Sequence, residues 1–408
     1  MTMKSLLLGA AAGLTTVGVA QAADLPMTKA EPVEYVKVCT EFGEGYFYIP
    51  GTDTCLRLQG EVRAFYKFYD PKNGPLADGH PDTTRNRDGY NFSTQARVMW
   101  DARTQTEWGL LRSYFQINAT ADNGAFKFEI DKAFIQLGGF TAGYAHTFFG
   151  IYDNDYGNTI FAPYFTSAST VNLLAYTATF GGGFSATLSI EDGAEHRASI
   201  TNTINYNLVG TTDGIYGGTR VPDVVGQLRI DQGWGEAAIF AAAHQTNYPT
   251  SAPYHDADWG WAAGAGVGVK LPFLAGAHIA LEGVYADGAL NYVGLGDSEA
   301  GYVNGTTSGG IVDATDLATA WSITGEFGVD VSPSLTLTAF GSYVDYSGWK
   351  VGVDSSQDFK QYVAGANAIY TIVKGLTVGA EVYYQKKDFK VSDDVDGWFG
   401  GVRIRRVF

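Results

Sequence analysis

Apolar and polar positions alternate with a period of two along most of the chain. From residue 54 onward, apolar side chains such as Leu56 and Leu58 alternate with polar ones such as Arg57 and Gln59, and the run 376–385 near the end repeats this pattern. In a β-strand, successive side chains point to opposite faces, so the alternation predicts half-buried strands. Taken alone, it fits a soluble β-sandwich as well as a membrane barrel.

The connections between the strands separate these two folds. Short turns, such as 104–107 and 181–182, alternate strictly with long connections, such as 148–170 and 192–224. An even number of strands with long loops at one rim only is typical of an outer-membrane barrel. We therefore predict an all-β fold, a 16-stranded antiparallel transmembrane β-barrel. Its predicted strands are 54–69, 90–103, 108–120, 125–138, 139–147, 171–180, 183–191, 225–231, 234–245, 258–270, 276–288, 317–330, 334–346, 358–372, 375–388 and 397–408.

The first residues have the features of an export signal. Lys4 precedes an apolar run that ends in Ala20-Gln21-Ala22, which is a small-residue cleavage pattern; an uncleaved anchor is the alternative. No later segment is long and apolar enough for a membrane helix, so a mature chain that spans a membrane must be a closed barrel. The expected organisation is a signal peptide (1–22), an N-terminal periplasmic or lumenal segment (23–53) and a transmembrane β-barrel domain (54–408).

Composition narrows the class of function. The 408 residues include 52 Gly and 25 Tyr, with only 17% charged residues, as expected for many short strands joined by turns. The formal charge of −16 argues against a nucleic-acid partner, because little of the chain would neutralise phosphates. The six His show no metal-ligand spacing, and neither a nucleophile elbow nor a phosphate-binding loop is present. We expect no enzyme activity, no cofactor and no metal site.

Cys39 and Cys55 are the only cysteines. In a chain exported to an oxidising compartment they are expected to form a disulfide, which would stabilise the fold by about 3 kcal/mol. Two free thiols are the alternative.

Seven arginines fall on the inward side of the alternation in the last strand and the first three strands. These strands become neighbours when a barrel closes, so the arginines are expected to line one wall of a pore. A lipid-facing Arg would cost about 2–4 kcal/mol, which supports the inward assignment. The alternative is a structural network in which Glu61 and Asp101 pair with the arginines. The candidate pore-lining residues are Arg57, Arg63, Arg97, Arg103, Arg112, Arg403 and Arg405.

Four segments resemble the general porin family of alphaproteobacteria, the trimeric porins of the Rhizobium and Brucella type. They are VEYVKVC at 33–39 with GYFYIPGTDTCLR at 45–57, AFIQLGG at 133–139, PDVVG at 222–226, and the closing strand 400–408. The resemblance implies a sixteen-stranded homotrimeric porin that passes small hydrophilic solutes through a pore narrowed by an inward-folded third loop. On this analogy, Asp153 and Asp155 of the loop 148–170 would face the basic wall; an ordinary surface loop is the alternative.

The remaining expectations concern partners. The terminal Phe408 closes an amphipathic strand and resembles the recognition signal of the barrel-assembly machinery. Acidic exposed loops could bind lipopolysaccharide through divalent cations, or simply be solvated. The Gly- and Ala-rich run 261–269 has a small-residue outer face that is either a subunit contact or strand filler.

We predict a general porin in the bacterial outer membrane. The rivals are a substrate-specific channel, for example for sugars, with lumen aromatics such as Phe65, Tyr114 and Tyr383, and a surface adhesin without a pore.

Overall fold

The structure is a computed structural model that describes ten stretches of the chain. The expected signal peptide, residues 1–22, lies outside the described residues, as do Asp153 and Asp155. The described stretches are 37–71, 89–152, 156–167, 169–202, 216–248, 257–296, 298–307, 310–348, 358–390 and 393–408.

Sixteen strands form a single closed antiparallel barrel in the described part of the chain, which confirms the predicted fold class. Each end lies within three residues of its predicted position. The strands are β1 (Cys55–Pro71), β2 (Tyr90–Thr106), β3 (Gly109–Asp122), β4 (Ala125–Leu137), β5 (Phe140–His146), β6 (Thr170–Gly181), β7 (Phe184–Glu191), β8 (Asp223–Gln232), β9 (Gly235–Asn247), β10 (Ala257–Lys270), β11 (His278–Asp287), β12 (Thr319–Ser332), β13 (Leu335–Ser347), β14 (Phe359–Val373), β15 (Leu376–Phe389) and β16 (Val395–Val407).

The barrel closes between its first and last strands. β1 pairs with β16 from Glu61↔Val407 to Pro71↔Gly397. Next to the pair Glu61↔Val407, the backbones of Gly60 and Phe408 exchange two hydrogen bonds of 2.8 and 2.9 Å. Closure leaves no strand edge at this seam. The backbone N–H and C=O groups can then pair within the sheet, as they must in the hydrocarbon core of a membrane.

Short and long connections lie at opposite rims, as the sequence predicts. The turn 374–375 between β14 and β15 has only two residues, and Gly375 adopts φ +79°, a conformation in which a side chain would be strained. The next connection along the chain, 390–394, belongs to the other rim, which also carries the long connections.

The two faces of the sheet differ in character. On β12, Trp321 and Ile323 are 43% and 42% exposed, whereas the alternating Ser322 and Thr324 are buried. A strand whose large apolar side chains are exposed and whose polar ones are buried is inverted relative to a soluble sandwich. The exposed apolar face is the outside of the barrel, and it suits contact with lipid.

Two long connections contain secondary structure that alternation did not predict. The connection after β7 forms a short helix (Gly193–His196) and a strand (Ile200–Asn202). This strand joins Ala300–Thr307 and Gly310–Leu317, from the connection after β11, in a three-stranded sheet. No helix among the described residues is both long and apolar enough to span a membrane.

Candidate functional site

The structure brings the seven predicted arginines together on one wall of the barrel. Arg63 of β1 lies directly opposite Arg405 of β16, and Arg103 of β2 lies opposite Arg112 of β3. On each strand they alternate with exposed apolar side chains such as Val62, which is 42% exposed. The seven guanidinium groups therefore lie on the inner face; we call them the arginine wall.

Two buried carboxylates pair with five members of the arginine wall. Asp101 accepts hydrogen bonds from Arg103 and Arg112 at 2.9 Å, and Arg57 lies 3.8 Å from it. Glu61 pairs with Arg63 and, at 2.7 Å, with Arg405. The network expected as the alternative to a functional lining is thus present.

The pairing leaves a surplus of positive charge. Arg97 is 4.0 Å from Asp131, and Arg403 has no ion pair with any described carboxylate. Seven guanidinium groups face three carboxylates, so the wall carries 7 − 3 = 4 positive charges in excess. Arginine keeps its charge at any accessible pH, which makes this surplus permanent.

The disulfide between Cys39 and Cys55 is present, as expected from the sequence. It holds the N-terminal segment against the base of the arginine wall. There, Tyr46 donates a hydrogen bond of 2.8 Å to Asp101, and its ring lies 4.9 Å from the guanidinium of Arg57. Burial and the hydrogen bond to Asp101 raise the pKa of Tyr46, so its hydroxyl stays a donor.

Described residues of the connection between β5 and β6 make hydrogen bonds with side chains of the inner face of the barrel. We call its described residues, 147–152 and 156–167, the third-loop segment. Its first part is held by two glutamates: Glu191 of β7 accepts from the Thr147 hydroxyl at 2.7 Å, and Glu282 of β11 accepts from the Ile151 backbone N–H at 2.7 Å.

Glu326 of β12 holds the middle of the third-loop segment. Its carboxylate accepts hydrogen bonds from the backbone N–H groups of Gly157 and Asn158, both at 3.0 Å, and from the Tyr164 hydroxyl at 2.9 Å. Burial and the nearby Glu326 raise the pKa of Tyr164 and of Tyr152, which keeps both phenols neutral and able to donate.

Glu381 of β15 binds three consecutive residues of the third-loop segment. Its carboxylate accepts from the consecutive backbone N–H groups of Ile160, Phe161 and Ala162 at 2.6, 2.7 and 2.8 Å. Asn367 of β14 donates a further bond of 3.0 Å. Hydrogen bonds to an ionised acceptor are about twice as strong as neutral ones, so four glutamates fix the course of this segment.

Glycines on the inner face of β10 make room for the third-loop segment. A Cβ atom on Gly266 would lie 2.7 Å from the Ile151 side chain, and one on Gly268 would overlap the Tyr156 ring. The outward positions of this strand include Trp261 and Val267, which are exposed. The expectation that the small residues of this run form an outer contact face is therefore wrong for its glycines.

None of the four glutamates was among the residues predicted from the sequence. Each stands at an inward position of an alternating strand, for example Glu381 within 376–385, and each is nearly fully buried. A buried carboxylate needs donors. No Arg or Lys lies directly opposite any of the four on a neighbouring strand, and an inward Glu of this kind was the available signal for a backbone partner.

A second buried cluster anchors the long connections after β7 and β11. His244 lies between Asp223 at 2.8 Å and Glu299 at 3.2 Å. Tyr292 donates to Asp223 at 2.8 Å and stacks on His196 at 4.3 Å. Among the described residues, no group of three or more His, Cys, Asp or Glu side chains is arranged to hold a metal ion.

Comparison with known proteins identifies the family. The model of the porin subfamily matches residues 24–399. Porin Omp2b of Brucella abortus is 31% identical over 426 residues, with full coverage of both chains. Among solved structures, the outer-membrane channel DcaP of Acinetobacter baumannii superposes with a TM-score of 0.69 at 15% identity, covering 88% of this chain and 99% of that one. OmpT of Vibrio cholerae, in its trimer form, gives 0.51 at 11% identity, covering 88% and 100%.

The two structural neighbours, at such low identity, support the fold alone. Family membership rests on the match of the family model over most of the chain and on the full-length similarity to the Brucella porin. The chain therefore belongs to the alphaproteobacterial porin family, whose members form channels in the bacterial outer membrane.

Proposed function

We propose that this porin is a general diffusion channel, a water-filled pore through which small hydrophilic solutes and ions pass passively. The observation that carries the proposal is the arginine wall, with its surplus of four positive charges, on the inner face of a closed barrel. Such a wall is useful only where water and solutes reach it. Membership of the porin family favours a channel over an enzyme and over a surface adhesin.

The third-loop segment is proposed to narrow the pore. Its contacts with β7, β11, β12 and β15 support an inward course, because they all involve side chains of the inner face. Asp153 and Asp155 belong to the same connection and are proposed to face the arginine wall. Opposed charges across a narrow passage would sort solutes by charge as well as size.

The assembly is proposed to be a homotrimer in the outer membrane. Trimeric OmpT supports this by analogy of fold. Recognition of Phe408 by the barrel-assembly machinery and contact of the acidic loops with lipopolysaccharide are further proposals. The position of Phe408 at the closing seam supports the first, since a recognition signal there would mark a chain ready to close.

Planar-bilayer conductance of the detergent-extracted protein tests the proposal. We expect stepwise insertions, each closing in three equal voltage-induced steps, as three pores in one trimer require. A folded, heat-modifiable preparation that forms no channels would overturn the channel function. Single closing steps with intact channels would overturn the trimer alone.

A further inference from the structure

A cavity of about 630 Å³ lies between the third-loop segment and the wall formed by β1 and β14–β16. It is on the side of the long connections, since Leu295 and Gly296 of the connection after β11 also line it. Its volume falls within the range of small-molecule pockets, about 300–1,000 Å³. General diffusion requires no binding in this cavity, which we call the outer cavity.

Two side-chain amides line the outer cavity. Gln361 of β14 and Gln385 of β15 are only 2% and 7% exposed, and neither side chain makes a hydrogen bond with any described residue. They are diagonal neighbours on adjoining strands, because Gln361 lies opposite Lys387 and Gln385 lies opposite Val363. Buried amides are normally hydrogen-bonded, so this pair is placed to bond a molecule in the cavity.

Aromatic rings supply most of the remaining surface. Phe161 and Tyr164 of the third-loop segment and Tyr69 of β1 are half-buried and line the cavity. Behind them, Tyr383 and Phe399 stack with ring centroids 5.3 Å apart. These rings offer apolar faces to a ligand while the amides offer both donors and acceptors.

The charges of the described lining residues favour neutral or anionic ligands over cationic ones. None of these residues carries a carboxylate, and the one that is charged, Lys67, has no ion pair with any described carboxylate. Lys67 lies 5.6 Å from the Phe161 ring. A cavity with aromatic faces, two amides and a single ammonium group fits a ring that is apolar on its faces and hydroxylated at its edge.

We propose that the outer cavity is a low-affinity binding site for saccharides of one or two pyranose rings, with the edge hydroxyls bonded by Gln361 and Gln385. The site rests on the proposed channel function, since solutes reach it only through an open pore. It differs from a continuous aromatic slide through the lumen: Tyr114 lines a separate cavity of about 600 Å³ on the side of the short turns, whereas Tyr383 lines this one.

The test is the block of ion current by cellobiose in planar bilayers. For the wild-type protein we expect the current to fall saturably as cellobiose increases. The double variant Gln361→Leu/Gln385→Leu keeps the size of both side chains but removes their amides. It should raise the half-saturating concentration about tenfold, as loss of two neutral hydrogen bonds predicts. The matched control is Gln59→Leu, which removes an amide from the other cavity.

Each outcome decides between the proposals. A tenfold weakening in the double variant with none in Gln59→Leu supports the site. A wild-type current that falls only in proportion to solution viscosity overturns the site and leaves the porin function intact. Equal block in the wild type and the double variant also overturns it. If the double variant does not insert, the two single variants are compared in the same way. Absence of wild-type channels would overturn the proposed function instead.

Discussion

The contact between Glu381 and the third-loop segment allows a quantitative prediction. In Glu381→Gln, one of the two carboxylate oxygens becomes an NH₂ group, which cannot accept a hydrogen bond. If Oε2 is replaced, the bonds from Ile160 and Asn367 are lost; if Oε1 is replaced, those from Phe161 and Ala162 are lost. Either orientation therefore removes two of the four bonds.

The structure sets the size of the effect. A hydrogen bond to a charged group contributes about 1.5–3 kcal/mol, so the loss of two amounts to 3 kcal/mol or more by the same estimate, about a hundredfold in the ratio of tethered to released loop. We expect the barrel to fold, because the affected bonds join a loop to its wall and no strand pairing is lost. The pore should then switch between conductance levels that the wild type visits rarely.

Single-channel recording measures this ratio as the fraction of open time spent at altered levels, and limited proteolysis measures it as accessibility of the loop. The matched control is Glu236→Gln on β9, an equally buried carboxylate whose ion-pair partner is Arg229 of the neighbouring strand. Recordings and digestion patterns of Glu381→Gln that match those of the wild type would refute the tethering role, provided the control behaves normally.

Three further predictions follow from the same geometry. Arg403→Gln removes one charge from the arginine wall that has no ion pair with a described carboxylate. For an ion about 10 Å away in water, the loss destabilises an anion and stabilises a cation by about 0.4 kcal/mol each. The anion-to-cation permeability ratio from reversal potentials should therefore fall about fourfold, and an unchanged ratio would contradict the wall's role. Replacing Cys39 and Cys55 by Ala should cost about 3 kcal/mol and lower the heat-modification temperature without abolishing channels; an unchanged temperature would show that the N-terminal segment does not stabilise the barrel. Gly266→Ala should displace Ile151 and increase the noise of the single-channel current, whereas noise equal to that of the wild type would show that the loop has room to adjust.

The barrel itself could be predicted from the sequence because its signals are local. Alternation marks each strand, and Gly-rich turns such as 374–375 mark its ends, so all sixteen strands were placed within three residues. The inward-facing positions of β1 could be assigned because exposing Arg57 or Arg63 to lipid would cost free energy. These inferences need only the chain neighbours of each residue and the physical chemistry of a membrane.

The loop contacts could not be predicted in this way, because they join residues far apart in the chain. Glu381 and Phe161 are separated by 220 positions. From the sequence, Gly266 is a small residue that could lie at a subunit contact. Its actual neighbour is the Ile151 side chain of the third-loop segment, which is 115 positions away in the chain. Secondary structure within 289–316 was also missed. The strand Ala300–Thr307 pairs along its length with the nearby Gly310–Leu317, and only its first three residues pair with Ile200–Asn202 from another long connection.

The four glutamates bear on the electrostatics of the pore as well as on the loop. Both oxygens of Glu381 accept hydrogen bonds from N–H donors, which is the bonding pattern of a carboxylate group. The same reasoning applies to Glu326, whose Oε1 and Oε2 both accept. Fixed negative charge therefore lies beneath the third-loop segment, and the surplus of positive charge lies on the arginine wall. Glu381 stands beside the arginine wall, because β15 pairs with β16, whereas Glu282 and Glu326 stand on β11 and β12, four or five strands away from it. We therefore expect carboxylates of the barrel itself to contribute to a transverse field, and we expect neutralising Asp153 and Asp155 to weaken that field without removing it.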